Sequence, residues 1–168
     1  MKTRKMLSVL LVGAMTFLLA ACGNKAGSSS KSAEEEGKGK EYHVIYLTPS
    51  TASQFWTYVG IGVENAMKDI EKSEGIKVDY EVVGPAEESQ TEDYVTTFEE
   101  CIGKQPDAIV TATLAIDATV PKAQEATNAG IVLNFVNCGI GTGDDGANEE
   151  YYNEFYYCSN DTIGEMAA

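Results

Sequence analysis

The chain has 168 residues, 26 of them acidic and 12 basic with a single histidine, and carries a formal net charge of −14. That sign excludes a nucleic-acid partner, which needs a basic face. It also disfavours anionic ligands unless a local site overrides the field.

In chain order, Lys2, Arg4 and Lys5 form a basic start, followed by an apolar stretch from Met6 to Leu18. That stretch is too short to span a bilayer as a mature helix and reads as the core of a signal peptide. It runs into "LAAC", Leu19 to Cys22, which resembles the lipobox of bacterial lipoproteins. The resemblance implies that the Cys22 thiol takes up diacylglycerol and becomes the new N-terminus. Residues 1–22 are then a lipoprotein signal peptide. Residues 23–41, "GNKAGSSSKSAEEEGKGKE", contain no large apolar side chain and cannot bury enough surface to fold. Such a tether reaches roughly 25 Å on average and holds a folded part at a membrane rather than inside one.

Strand and helix signals then alternate. "YHVIYLT" (Tyr42 to Thr48) is a predicted buried strand. The spacing of Phe55, Val59, Val63, Met67 and Ile70 predicts a helix over about 55–72, with Ser53 as N-cap. "IKVDYEVVG" (76–84) is the second strand. Thr91 to Gln105 is the second helix, with Tyr94, Phe98, Cys101 and Ile102 on its apolar stripe and Pro106 ending it. "DAIVTAT" (107–113) is the third strand. The third helix covers about 119–129, with Pro121 in its first turn and Gly130 at its C-cap. "IVLNFVN" (131–137) and "EFYYCSN" (154–160) are the fourth and fifth strands, and "DTIGEMAA" begins a helix. Strands spaced by helices make βαβ units. The expected fold class is therefore α/β, a doubly wound parallel sheet.

In such a sheet ligands bind outside the carboxyl ends of the strands. The loops there are "TPSTASQFW", "GPAEESQTE", "TLAIDAT" and "NCGIGTG". They are rich in hydroxyls, amides and carboxylates and hold no lysine or arginine, a pattern that suits a neutral, hydroxyl-rich ligand. Adjacent helical residues point about 100° apart. Phe55 fits the sheet-facing stripe, which turns Trp56 toward the rim. There the indole either stacks on the C–H face of a sugar ring or packs under a loop or against a further lobe.

Catalysis finds little support. His43 lies near the start of strand one, away from the expected site, so no histidine base stands ready for a nucleophile. Glu87 with Glu88, and Asp144 with Asp145, read as solvated faces rather than acid–base pairs. "GIGTG" lacks the lysine of a phosphate loop, the acidic cluster after it lacks calcium spacing, and no C-x-x-C occurs. No catalytic residue, metal or cofactor is therefore expected. Cys101 reads as a small buried hydrophobe. Cys138 and Cys158 fall near strand ends, and at most one disulfide forms among the three.

The ordered set of lipobox, tether, "SQFW" opening helix one, "QPDAIV", "AGIVLNFVN" and "SNDTIGEMAA" resembles the sugar-type solute-binding proteins of ABC importers, the ribose/galactose-binding, periplasmic binding protein type I family. The resemblance covers nearly all of 42–168. It implies an N-terminal α/β lobe over 42–157 and the first inter-lobe crossing over 158–168, with the second lobe and the strand returning to the first absent from these residues. Carried over by position, it implies ligand contacts at Ser53, Gln54, Phe55, Trp56, Thr113, Asp117 and Asn137. Ribose binders carry an Asp-Arg pair where Val136 and Asn137 stand, so the resemblance leaves the sugar unnamed. The implied function is capture of a sugar or similar polyhydroxyl ligand at the extracytoplasmic face of the cell membrane for ABC permease subunits. The alternative is presentation of that ligand to a chemotaxis or sensor-kinase partner. A repressor core of the same fold is excluded, because a DNA-binding head would stand where the signal peptide stands.

Overall fold

β-branched and aromatic residues dominate the strands because they fit a pleated surface buried on both faces. In the computed structural model, which describes residues 39–141, 147–157 and Met166, five such runs form one parallel sheet. The strands are β1 (Glu41–Leu47), β2 (Lys77–Val83), β3 (Ala108–Thr111), β4 (Val132–Val136) and β5 (Glu154–Tyr156). Their order is β2-β1-β3-β4-β5, every neighbouring pair parallel. The signal peptide with Cys22, most of the tether, residues 142–146 with Asp144 and Asp145, and residues 158–165 with Cys158 lie outside the described residues.

The helices α1 (Gln54–Glu74), α2 (Thr91–Gly103) and α3 (Ile116–Asn128) divide between the two faces. Alternation along the strands sends Ile45, Leu47, Ile109, Leu133 and Phe135 to one side. There they pack with Tyr94, Phe98, Cys101 and Ile102 of α2 and Ala123 and Ala126 of α3. Val44, Tyr46 and Val110 point the other way, against Val59, Val63 and Met67 of α1. The α2 stripe read from the sequence is thus buried as expected. Cys101 is 1 % exposed, and its burial pushes the thiol up to about 11.

Three expectations need correction. The first concerns the buried side of α1. Trp56 is 3 % exposed and Phe55 52 % exposed, the reverse of the predicted arrangement, and Ile70 is exposed as well. A stripe counted in steps of four drifts about 40° per step. Met67 therefore lies roughly 20° from Trp56 around the helix but about 120° from Phe55.

The second concerns α3, which begins at Ile116, three residues before the expected start, so Pro121 sits inside the helix rather than in its first turn. The early start is secured by side chains outside the apolar pattern. Thr113 Oγ1 accepts the Ala115 N–H at 3.0 Å, and the Thr119 hydroxyl donates to the Ala115 carbonyl at 2.8 Å. At the other end Gly130 takes φ +80°. Its N–H donates to the Thr127 carbonyl, and the Ile131 N–H donates to that of Ala126, the paired closing bonds of a Schellman turn. Gly130 is thus the residue after the C-cap, Ala129.

The third is the Ser53 cap. Ser53 does occupy the N-cap position of α1, yet its side chain makes no capping bond. Its backbone N–H is instead held by the Ser50 hydroxyl at 3.1 Å.

Candidate functional site at the carboxyl edge of the sheet

In the order 2-1-3-4-5 the chain changes direction between β1 and β3, and the loops leaving those strands must diverge there. Four loops meet at this edge: 48–53 after β1, 84–90 after β2, 112–115 after β3 and 137–141 after β4.

Hydrogen bonds weld the first two together. The N–H groups of Thr51 and Ala52 donate to the carbonyls of Pro85 and Ala86 at 2.8 and 3.2 Å. The buried Ser50 hydroxyl donates to the Ala86 carbonyl at 2.6 Å while accepting the Ser53 N–H. Gly84 lies so close beneath that a Cβ there would overlap the Thr48 carbonyl oxygen. On the far side the Thr113 N–H donates to the Cys138 carbonyl at 3.0 Å, tying the β3 loop to the β4 loop. Between the two halves runs a narrow crevice bounded by Pro49, Glu88, Thr113, Leu114 and Ala115, with Tyr94 below. Its floor is fixed: the Tyr94 hydroxyl meets Thr111 Oγ1 at 2.8 Å, and Thr111 Oγ1 donates to the Leu47 carbonyl at the same distance.

The residues singled out in the sequence divide by accessibility. Phe55 projects from the first turn of α1 into solvent, its ring edge-on to the indole of Trp56 with centroids 4.8 Å apart. Trp56 is the prop and not the exposed face: its Nε1–H donates to Glu88 Oε1 at 2.8 Å. Gln54 is exposed, and its amide reaches the Tyr58 hydroxyl at 3.3 Å. Ser53 is half-buried and Asp117 exposed in the first turn of α3.

Thr113, expected to present a hydroxyl, is buried. Its Oγ1 lies 2.6 Å from that of Thr119 while accepting the Ala115 N–H. Since the Thr119 proton goes to the Ala115 carbonyl, the Thr113 proton goes to Thr119, and the side chain is fully committed to holding its loop. Asn137 is exposed in the left-handed region, φ +65°, which asparagine tolerates better than most residues. Its N–H donates to the Tyr156 carbonyl at 2.8 Å, and its Oδ1 accepts the Cys138 thiol at 3.0 Å. Trp56 and Asn137 therefore stand at the same end of the sheet.

Two residues of this edge escaped the sequence reading. Ser50, one serine among several in its loop, carries the staple between loops. Glu88, read as part of a solvated pair, anchors the indole. The signal for Glu88 was its position, a carboxylate in the loop beside the switch point. Burial pushes the Cys138 thiol up, and the Glu88 carboxylate adds to that effect. Among the described residues no group of three or more His, Cys, Asp or Glu is arranged to hold a metal, and no helix is long and apolar enough to cross a membrane.

No family model matches the chain, and neither does any curated protein. Solved structures do. The chain is 27 % identical to an ABC transporter solute-binding protein from Agrobacterium vitis with bound D-fucose, over 74 % of this chain and 40 % of that one, with a TM-score of 0.59. A second Agrobacterium vitis solute-binding protein, bound with α-D-tagatopyranose, is 23 % identical over 75 % of this chain and 41 % of that one, TM-score 0.59. A sugar-binding protein of a Bacillus halodurans sugar ABC transporter is 18 % identical over 77 % and 39 %, TM-score 0.56. All three are binding proteins of transporters. The chain spans about two fifths of the length of the structures it matches, and its five-stranded sheet has the fold of one lobe of the periplasmic binding protein type I architecture.

Proposed function

We propose that the chain forms the ligand-capturing lobe of a lipid-anchored, extracytoplasmic solute-binding protein that takes up a sugar or similar polyhydroxyl ligand for an ABC transporter. The observation that carries this reading is the make-up of the carboxyl edge. An exposed phenyl ring at Phe55, amides at Gln54 and Asn137 and a carboxylate at Asp117 are presented from the first turns of α1 and α3 and the β4 loop, where the neighbouring loops are braced to one another. A sugar offers both an apolar C–H face and a belt of hydroxyls, and this edge supplies a partner for each. The bound sugars of the Agrobacterium vitis proteins support the ligand class. Capture for permease subunits agrees with the same proteins being parts of transporters. The basic start, apolar core and "LAAC" of residues 1–22 support anchoring through Cys22, with residues 23–41 as tether and 42–157 as the lobe.

A thermal-shift panel on the full chain tests the proposal, with D-fucose, D-tagatose, D-ribose, D-galactose and simple polyols at millimolar concentration. A ligand present at 100 times its dissociation constant adds about 2.7 kcal/mol. A raised melting temperature with at least one sugar is expected. No stabilisation by any of them would refute the function.

A further inference from the structure

We propose that Glu88 selects ligands by charge at this edge, admitting neutral and aminated sugars and turning away sugar acids and sugar phosphates. The inference rests on the sugar-binding reading and adds to it the residue that sets the charge class.

Glu88 stands at the crevice between the β1 and β3 loops, opposite Thr113, Leu114 and Ala115. Most surface glutamates swing freely, but this one is held. The buried indole of Trp56 donates to its Oε1 at 2.8 Å, and the loop that carries it is fastened to the β1 loop through Pro85 and Ala86. Oε2 has no protein donor among the described residues, so the carboxylate keeps an acceptor for a ligand's N–H or O–H.

Among the described residues the charge at this edge is also uncompensated. Lys40 and Lys77 sit at the amino ends of β1 and β2, and Lys68 and Lys72 lie in the last turns of α1. Lys104 caps the far end of α2 and pairs with Glu81, and Lys122 is held between Glu99 and Glu125. The chain's one arginine is Arg4. No lysine or arginine occurs in the four carboxyl-edge loops, where Glu87 and the neighbouring Asp117 carry the same sign as Glu88. Burial raises the Cys138 thiol in the β4 loop, and the Glu88 carboxylate adds a smaller push in the same direction. An anionic ligand entering here loses hydration and meets repulsion, whereas an ammonium group gains a charge-assisted hydrogen bond.

Titration of the full chain with D-galactose, D-galactosamine and D-galacturonate, and with the corresponding glucose series, reads the selection directly. The six sugars share ring dimensions and differ in charge. Galactosamine is expected to bind at least as well as galactose, and galacturonate roughly tenfold more weakly. Glu88→Gln keeps an oxygen acceptor for the indole and removes the charge. It is expected to weaken the amine about tenfold relative to the neutral sugar and to bring the acid level with it. In the wild type, salt should narrow the gap, because these groups face solvent.

Equal binding of neutral and acidic sugars overturns the assignment while leaving sugar capture intact. Discrimination that persists in Glu88→Gln also overturns it. Failure of every neutral and charged sugar to bind removes the sugar-binding reading itself, and this inference with it.

Discussion

Phe55 and Trp56 are neighbours in sequence with opposite duties. The indole is buried between α1 and the end of the sheet, hydrogen-bonded to Glu88, and supports the phenyl ring that projects beyond it. Substitution separates the two. Trp56→Ala empties a buried site and leaves Glu88 without its donor, so it should cost about 3–5 kcal/mol of stability in urea unfolding. Phe55→Ala removes an exposed ring and should cost about 1 kcal/mol or less, the size of one aromatic pair. Sugar titration isolates the exposed ring. Phe55→Ala should raise Kd roughly tenfold with the fold intact, the loss of about 1.4 kcal/mol of apolar contact. An unaltered Kd in Phe55→Ala would remove the phenyl ring from the site. The pair was legible in the sequence as two aromatics at the start of a helix, but their roles were not. Steps of four gave Phe55 to the core, and only the full 3.6-residue wheel, followed from Trp56 through Gly60 and Val63 to Met67, points the indole inward.

At the scale of elements, the strands were readable as short β-branched and aromatic runs and the helices as longer segments with an apolar stripe. The loops that make the candidate site were less so, because bonds between segments distant in sequence decide their shape. Nothing local to Thr113 announces that its hydroxyl will meet Thr119, and nothing local to Ser50 announces Ala86, 36 residues away. The Schellman turn at Gly130 is the opposite case, a local signal correctly placed to within one residue. The brace between the β1 and β2 loops depends on close backbone approach at Gly84. A methyl group there would meet both the carbonyl oxygen and Cγ2 of Thr48. Gly84→Ala should therefore destabilise the fold by about 1–3 kcal/mol and, by pushing the Thr48–Ser53 loop away from Pro85, weaken sugar binding as well. Denaturant unfolding and titration of the same variant check both effects, and a variant with wild-type stability would show that the two loops part without cost.

Over the whole molecule the two faces of the sheet are unequally covered. Among the described helices, α2 and α3 seal one face, while α1 alone lies on the other. The uncovered portion shows in Val132, 42 % exposed, and Ile70, 41 % exposed, which flank a groove of about 570 Å³ that also includes Val44, Met67, Val78 and Ala108. This groove lies at the amino ends of the strands, opposite the carboxyl edge where the sugar is proposed to bind. The same end carries Lys40, Lys72 and Lys77 but also Glu41, Glu71, Glu74 and Asp107, so its apolar lining rather than its charge sets the groove apart. An anilinonaphthalene sulfonate dye, whose aromatic rings seek exposed apolar surface, matches this groove. The dye is expected to fluoresce with the native protein and to dim with Val132→Glu or Ile70→Glu. Each of these variants should change stability by less than about 1 kcal/mol, because the side chains are already partly in water. Saturating sugar should leave the dye signal unchanged, since the two places are at opposite ends of the strands. Displacement of the dye by sugar would mean that one end serves both ligands, and the separation of a carboxyl-edge site from the amino-end groove would be lost.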